Sequence, residues 1–395
     1  MGRSQPGAAG MNGLCILRTE QRREWMSVLE RTVQYDFHHL PEYHRVAEQR
    51  GEGVGHLFTY SEGGHVIALP LLLRLVDDAE TAGWRDATSV YGYGGPVASA
   101  AQMPATVIRN FQAALKEALV ERRVVAAFSR LHPLISQHEL LAGLGECRRM
   151  GETVSIDLTR PLAEQWGGYR KSCRHVINKL RRAGFVAIHD HEKRYLPEFV
   201  SVYHETMRRA HAQHSYFFEA AYFEVLAREL GSALHLFVVL FGNEVAAASL
   251  ATICNGVVQD HLGGTRDGFL DHSPDRLVVD TERLWAADSG ARVHHLGGGV
   301  GSHQDSVFQY KAGFSSRRHT FSTWCYVVEP AAYHELCRQK AYWNGANGLQ
   351  ASSPDYFPAY RCPAVPAASD TAGSPTGLLL RSRQFRHDAV RNLIE

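Results

Sequence analysis

Apolar periodicity alternates between strand and helix over the first 150 residues and then restarts near Met150 in a similar order. A helix opens at Trp25, an aromatic-rich turn occupies 35–41, and a second helix starts at Glu42 behind Pro41, whose fixed φ suits a first helical turn. Strand-like runs at 55–60 and 65–75 flank the hairpin signal Ser61-Glu62-Gly63-Gly64; a helix over 105–121 and a strand at 124–129 follow. After Met150 come a strand at 152–158, a helix over about 161–183 and a strand at 184–189. Helices at 196–211 and 219–231, strands at 234–241, 244–253 and 257–262, a helix at 275–289 and a strand at 293–296 complete the series. Two α+β lobes in tandem are the economical fold class, because each buries one sheet face under its own helices.

Composition excludes several functions. No apolar run reaches the roughly 18 residues of a membrane helix, and the first residues lack the apolar centre of an export signal, so a cytoplasmic protein is expected. A net charge of +1 gives no whole-molecule attraction to nucleic acid, so any anion site must be local. The seven cysteines are widely spaced without a CxxC pair, and the 22 histidines show no familiar metal spacing, so neither a disulfide framework nor a metal is expected. The stretch from 364 to 377 is rich in Ala, Ser, Pro, Thr and Gly and reads as a flexible tail, with a short helix possible over 378–395.

Local patterns point to chemistry. No acidic residue lies between Glu164 and Asp190, while Arg170, Lys171, Arg174, Lys179, Arg181 and Arg182 all do. Tyr169, Cys173, Val176, Ile177 and Leu180 form the buried stripe of that helix, leaving the cations on its solvent face as a phosphate contact or a merely solvated surface. The glycines of Leu296-Gly297-Gly298-Gly299 follow a strand, where bare N–H groups suit an anion or a tight turn. They lead to Asp305 and then to Tyr310-Lys311-Ala312-Gly313-Phe314, one of only six lysines. That lysine suits oxyanion stabilisation, or snorkels over an aromatic surface. Tyr91 and Tyr93 in a glycine loop, His261 and Thr265 beside a glycine pair, and Arg209 on a helix offer polar groups to a ligand or serve as turn and surface residues. No GxSxG elbow or Ser-His-Asp pattern occurs.

Taken in order, several segments resemble the Fem family of the GNAT superfamily, aminoacyl-tRNA-dependent transferases that build peptidoglycan bridges, and its natural-product relatives. They are Tyr35-Asp36-Phe37-His38-His39-Leu40-Pro41-Glu42-Tyr43, Tyr91-Gly92-Tyr93-Gly94-Gly95-Pro96, Phe128-Ser129-Arg130-Leu131-His132-Pro133, the basic helix ending at Gly184-Phe185, Glu205-Thr206 with Tyr216-Phe217, His261-Leu262-Gly263-Gly264-Thr265, and Leu296 to Phe314. The resemblance implies a twin-GNAT fold without the long helical hairpin of some members. It assigns residues 1–150 plus about 320–362 to a first lobe, 151–319 to a second lobe holding the active-site channel, and 363–395 to a tail. It implies amide formation between an aminoacyl group from tRNA and a primary amine of a natural-product intermediate or peptidoglycan precursor, without a cofactor; the alternative is an acyl-CoA-dependent N-acyltransferase. Lys311 is then the oxyanion or donor-positioning group, and the Tyr310 carbonyl orients the amine. Tyr91, Tyr93, Arg209, Tyr216, His261, Thr265, Gly298 and Asp305 become substrate contacts, and Arg170, Lys171, Arg174, Lys179, Arg181 and Arg182 tRNA contacts.

Overall fold

The computed structural model describes residues 13–365 apart from 77–82, 136, 213–216 and 354, so Tyr216 and the 378–395 segment lie outside the described residues. The first stretch contains β1 (Gly13–Arg18), α1 (Arg22–Leu29), α2 (Pro41–Gln49), β2 (Val54–Glu62), β3 (His65–Leu75), β4 (Arg85–Thr88), β5 (Val97–Ala98), α3 (Ala105–Glu121) and β6 (Val124–Leu131). The second contains β7 (Glu146–Asp157), α4 (Leu162–Gly167), α5 (Lys171–Arg182), β8 (Phe185–Asp190), α6 (Leu196–Arg209), α7 (Ala220–Leu230), β9 (Leu234–Phe241), β10 (Glu244–Cys254), β11 (Val257–Thr265), α8 (Asp275–Asp288) and β12 (Val293–Gly298). The chain continues through α9 (Ser306–Lys311), β13 (Arg318–Val327) and α10 (Pro330–Ala346).

All the strands form one sheet in the order β1-β2-β3-β4-β6-β13-β7-β12-β11-β10-β9-β8, with β5 paired to β3. Read from either edge the order repeats: three antiparallel pairings, then one parallel pair, β4 with β6 and β11 with β12, bridged by α3 and α8. The sixth strands are exchanged. β7, which follows the first stretch, pairs with β12, and β13, which follows the second, pairs with β6; β7 and β13 pair with each other at the centre. This reciprocal exchange hydrogen-bonds the two halves into a continuous sheet.

The helices reinforce the join. Trp25, Leu29, Phe37 and Val46 of the first stretch share a core with Phe199, Val202, Tyr203, Phe223 and Leu226 of α6 and α7, all nearly inaccessible to solvent. Each such side chain contributes roughly 1.5–3 kcal/mol on burial, so separating the halves would be costly. A second core lies under α5 and α8, where Tyr169, Cys173, Ile177 and Leu180 are buried and Val176 packs against them, following the stripe read from sequence.

Several details differ from the sequence expectation, the short strands β1, β4 and β5 among them. The single helix over 161–183 is two, broken at Gly167-Gly168, since consecutive glycines cost about 1 kcal/mol each in a helix interior. The backbone N–H of Arg170 leaves the helical ladder and donates to the Gly313 carbonyl at 2.8 Å. β13 and α10 went unread, because β13 mixes polar and apolar residues and α10 buries only Leu336 and Asn344.

Candidate active site

Parallel strands β11 and β12 pair only through Val257, Val258 and Gln259 opposite Val293, His294 and His295, and β11 then runs on to Thr265 against β10. A wedge opens where they part. Lys311, at the C-terminal end of α9, reaches it because Phe308, Ala312 and Phe314 are buried around it and fix the helix. Gly297 has φ +79°, and a Cβ there would stand 3.1 Å from Lys311 Nζ, so a side chain would strain the backbone and press on the ammonium. Lys311 is half-buried and has no ion-pair partner within 4.0 Å among the described residues. Burial lowers its pKa, while Asp260 and Asp305 act in the opposite direction.

Behind the lysine lies a buried acid group. Asp260 of β11 is pushed up to about 6 by burial and by Glu282, with Lys311 and His294 pulling it down; Ser249 Oγ donates to it at 3.1 Å. Burial pushes Glu282 of α8 up to about 8 and His294 of β12 down to about 4, and His294 Nε2 stands 3.3 Å from a Glu282 oxygen. At neutral pH the group therefore holds one ionised carboxylate, Asp260, beside a protonated Glu282 and a neutral imidazole.

The first half supplies the facing wall. The loop after β4 carries Tyr93, whose hydroxyl is hydrogen-bonded to the Gly298 backbone and whose ring lies 5.5 Å from His295 and 5.4 Å from Phe321. His295 is itself held by Gln259 at 2.5 Å and Thr153 at 2.8 Å. Next to Tyr93 sits a buried node around Asp36. Its carboxylate meets His38 Nδ1 at 2.8 Å, His132 Nε2 at 2.9 Å, His39 Nδ1 at 3.0 Å and the His38 backbone N–H at 3.0 Å. His132 Nδ1 accepts the Leu134 N–H at 3.1 Å, so its proton sits on Nε2, facing Asp36. Despite its burial, Asp36 stays well below the ordinary carboxylate range because His38 and His132 favour its charge. Gly92, with φ +106°, allows the loop to pass: a Cβ there would overlap His38 Nε2.

The structure therefore places Gly298 and Tyr93 next to the Lys311 bend at the junction of the halves, while the Tyr91 ring lies 6.1 Å from that of His261. The other expected contacts have partners within the fold. Arg209 is paired with Asp267 and donates to the Thr265 carbonyl, while the Thr265 N–H is held by Thr206, so these contacts lock α6 to the end of β11. His261 is wedged among Phe37, Tyr43 and Tyr91, and burial lowers its pKa to about 3. Asp305 caps α9 by accepting the Phe308 N–H at 2.9 Å and also takes the Val300 N–H. The Tyr310 carbonyl already accepts the Gly313 N–H at 2.9 Å, and its hydroxyl bonds Asp275. Among the basic residues, Arg181 is tied to buried Asp280 at 2.6 Å and Arg170 donates to Gln309, whereas Lys171, Arg174, Lys179 and Arg182 have no carboxylate partner among the described residues. Asp36, His38, His132, Asp260, Glu282 and His294 had no role assigned from sequence, although the first three lie in the quoted segments.

The description "Acetyltransferase (GNAT) domain" matches residues 167–312, which hold the wedge and Lys311. No curated protein matches the sequence. FemX shares the fold with a TM-score of 0.63 at 13% identity, over 80% of this chain and 98% of that one. L-PGS from Bacillus licheniformis follows at 0.50 and 13%, over 78% and 94% of the two chains. A C-terminal domain described as a lysylphosphatidylglycerol synthetase, from Agrobacterium fabrum, has a TM-score of 0.50 at 14% identity, over 82% and 95%. These likenesses agree with the repeated sheet order and the two parallel crossovers. Residues 167–312, around Lys311, match a GNAT acetyltransferase domain, and the fold of the chain is similar to that of FemX.

Proposed function

We propose that this protein is an acyltransferase that joins an aminoacyl group, delivered as its tRNA ester, to a primary amine. The observation that carries the reading is Lys311: an ammonium without a paired carboxylate, held at a glycine bend in the strand wedge of the GNAT domain. The amine nitrogen attacks the ester carbonyl carbon, the new C–N bond forms, and the negative charge on the carbonyl oxygen develops beside the ammonium. Asp260 takes the proton that the amine loses and returns it to the departing ribose oxygen as the tetrahedral intermediate collapses. Positioning and charge stabilisation suffice for an activated ester, so no enzyme nucleophile is needed.

The free cations of α5 suit the acceptor stem of tRNA. An acyl-CoA donor is the second reading, favoured by the similarity of residues 167–312 to an acetyltransferase domain. Against it, the first turn of α8, a helix N-terminus beyond the wedge, already holds the buried carboxylate of Asp275, which opposes a pyrophosphate there. The amine belongs to a natural-product intermediate or a peptidoglycan precursor. Incubation with charged tRNA or with acyl-CoA, with and without RNase, tests the donor: product formation that RNase leaves unaffected rejects the tRNA reading.

Two further outcomes follow. Because Asp260 is pushed up to about 6, the base form fills as pH rises through that value, and kcat/KM should rise with it; in Asp260→Asn this limb should vanish and activity fall roughly 10²-fold or more. A pH profile of both proteins checks this. Lys179→Glu with Arg182→Glu should weaken tRNA binding about tenfold or more and lower the salt slope by about two, as filter binding over a salt series measures. Arg181 is a poor choice for that test because its loss would leave Asp280 less compensated.

A further inference from the structure

We propose that His189, His191 and His235 form a transition-metal site, suited to zinc, on the outer edge of the sheet. β8 is the last strand, and its register places His189 opposite Phe237 and Asp190 opposite Leu236 on β9. Alternation along paired strands then puts 189, 191, 235 and 237 on one face. One nitrogen from each imidazole lies within 4.8 Å of the others, and His189 Nε2 stands 3.0 Å from His235 Nδ1. That is close to the spacing of two ligands on a tetrahedral ion with bonds of about 2.0–2.1 Å.

The surroundings suit a ligand set. Trp285 of α8 walls one side, 4.3 Å from His235 and 5.3 Å from His189, and Phe237 stacks on His189 at 4.7 Å, limiting ring movement. His191 is exposed at the strand end, so an ion can enter and a fourth position stays open to solvent. The neighbouring charges are Asp190, which accepts the Tyr195 N–H at 2.7 Å, and Lys193, which donates to the Gly231 carbonyl at 3.5 Å. Three neutral imidazoles select zinc or copper over magnesium or calcium. The buried Asp36 group, the other cluster of this kind among the described residues, lacks such freedom, because its carboxylate is already enclosed by imidazole and backbone N–H groups. The edge site is separate from the wedge and does not depend on the proposed reaction.

The test uses the full chain without a histidine tag, stripped with chelator and titrated calorimetrically with zinc chloride. One zinc per chain with a Kd of about 10 μM or tighter is expected. His191→Ala, an exposed change that leaves the core intact, and His235→Gln should each weaken binding about tenfold or more, while their circular dichroism stays native. Failure of the unmodified chain to bind zinc, or binding by both variants within about twofold of it, would overturn the proposal.

Discussion

Lys311→Ala is expected to lower kcat by about 10²- to 10³-fold, the usual cost of removing one preorganised oxyanion donor, with little change in stability. Stability should hold because the ammonium is half-buried without an ion-pair partner, whereas the residues that anchor α9, Phe308, Ala312 and Phe314, are untouched. The same substitution has a second signature. Lys311 pulls the Asp260 pKa down, so without it the carboxyl titrates above its present value of about 6, and the rising limb of the pH profile moves to higher pH. A protein that merely bound amine or RNA would show neither change in turnover. Lys311→Arg should not restore activity, because the ammonium fits against Gly297, where a broader guanidinium would crowd the bend. Single-turnover measurements across a pH series on the alanine and arginine variants, alongside thermal unfolding, check all four expectations. Unchanged turnover in Lys311→Ala removes the lysine from the mechanism.

Lysine was legible as a candidate because this chain uses it sparingly and sets Lys311 after a run of glycines. Elements of strong period were legible too: α3 and β3 occupy the residues their patterns indicate. What sequence could not convey is long-range pairing. Nothing local in β7 or β13 says that each joins the opposite half, since exchanged and unexchanged pairings bury similar strand faces. The same limit governs the site. Thr265 and Asp305 look like ligand groups because they are polar and lie near glycines, and Arg209 because it is a cation on a helix, yet their partners are Asp267, Thr206 and the loop N–H groups that only folding brings close. Conversely, Glu282 occupies an ordinary helical position in sequence, and its raised pKa exists because α8 turns it inward beside Asp260.

The Asp36 node leads to the largest expected loss of stability. Its partners come from His38 and His39 in the same turn and from His132, 96 residues away, and all four residues are almost wholly buried. Asp36→Ala removes the acceptor but leaves its donors in place, without solvent to receive them. Breaking a buried charged group in this way costs about 3–5 kcal/mol, and urea unfolding at neutral pH should show it. Asp36→Asn keeps the volume but presents an amide N–H₂ to imidazole N–H groups, so it should also destabilise. Folding holds the Asp36 pKa below its ordinary value, which means that the native state favours the ionised form. The contribution is thus fully present above about pH 4, the ordinary aspartate value, and declines as pH falls towards the folded pKa. The stability gap between Asp36→Ala and the unmodified chain should therefore narrow on acidification below that point. A gap under about 1 kcal/mol at neutral pH would show that the node does not hold the turn. The turn also seats Phe37 against His261 and His38 beside Tyr93, so the surviving folded variant should lose kcat/KM by relaxation of that wall even with Lys311 in place.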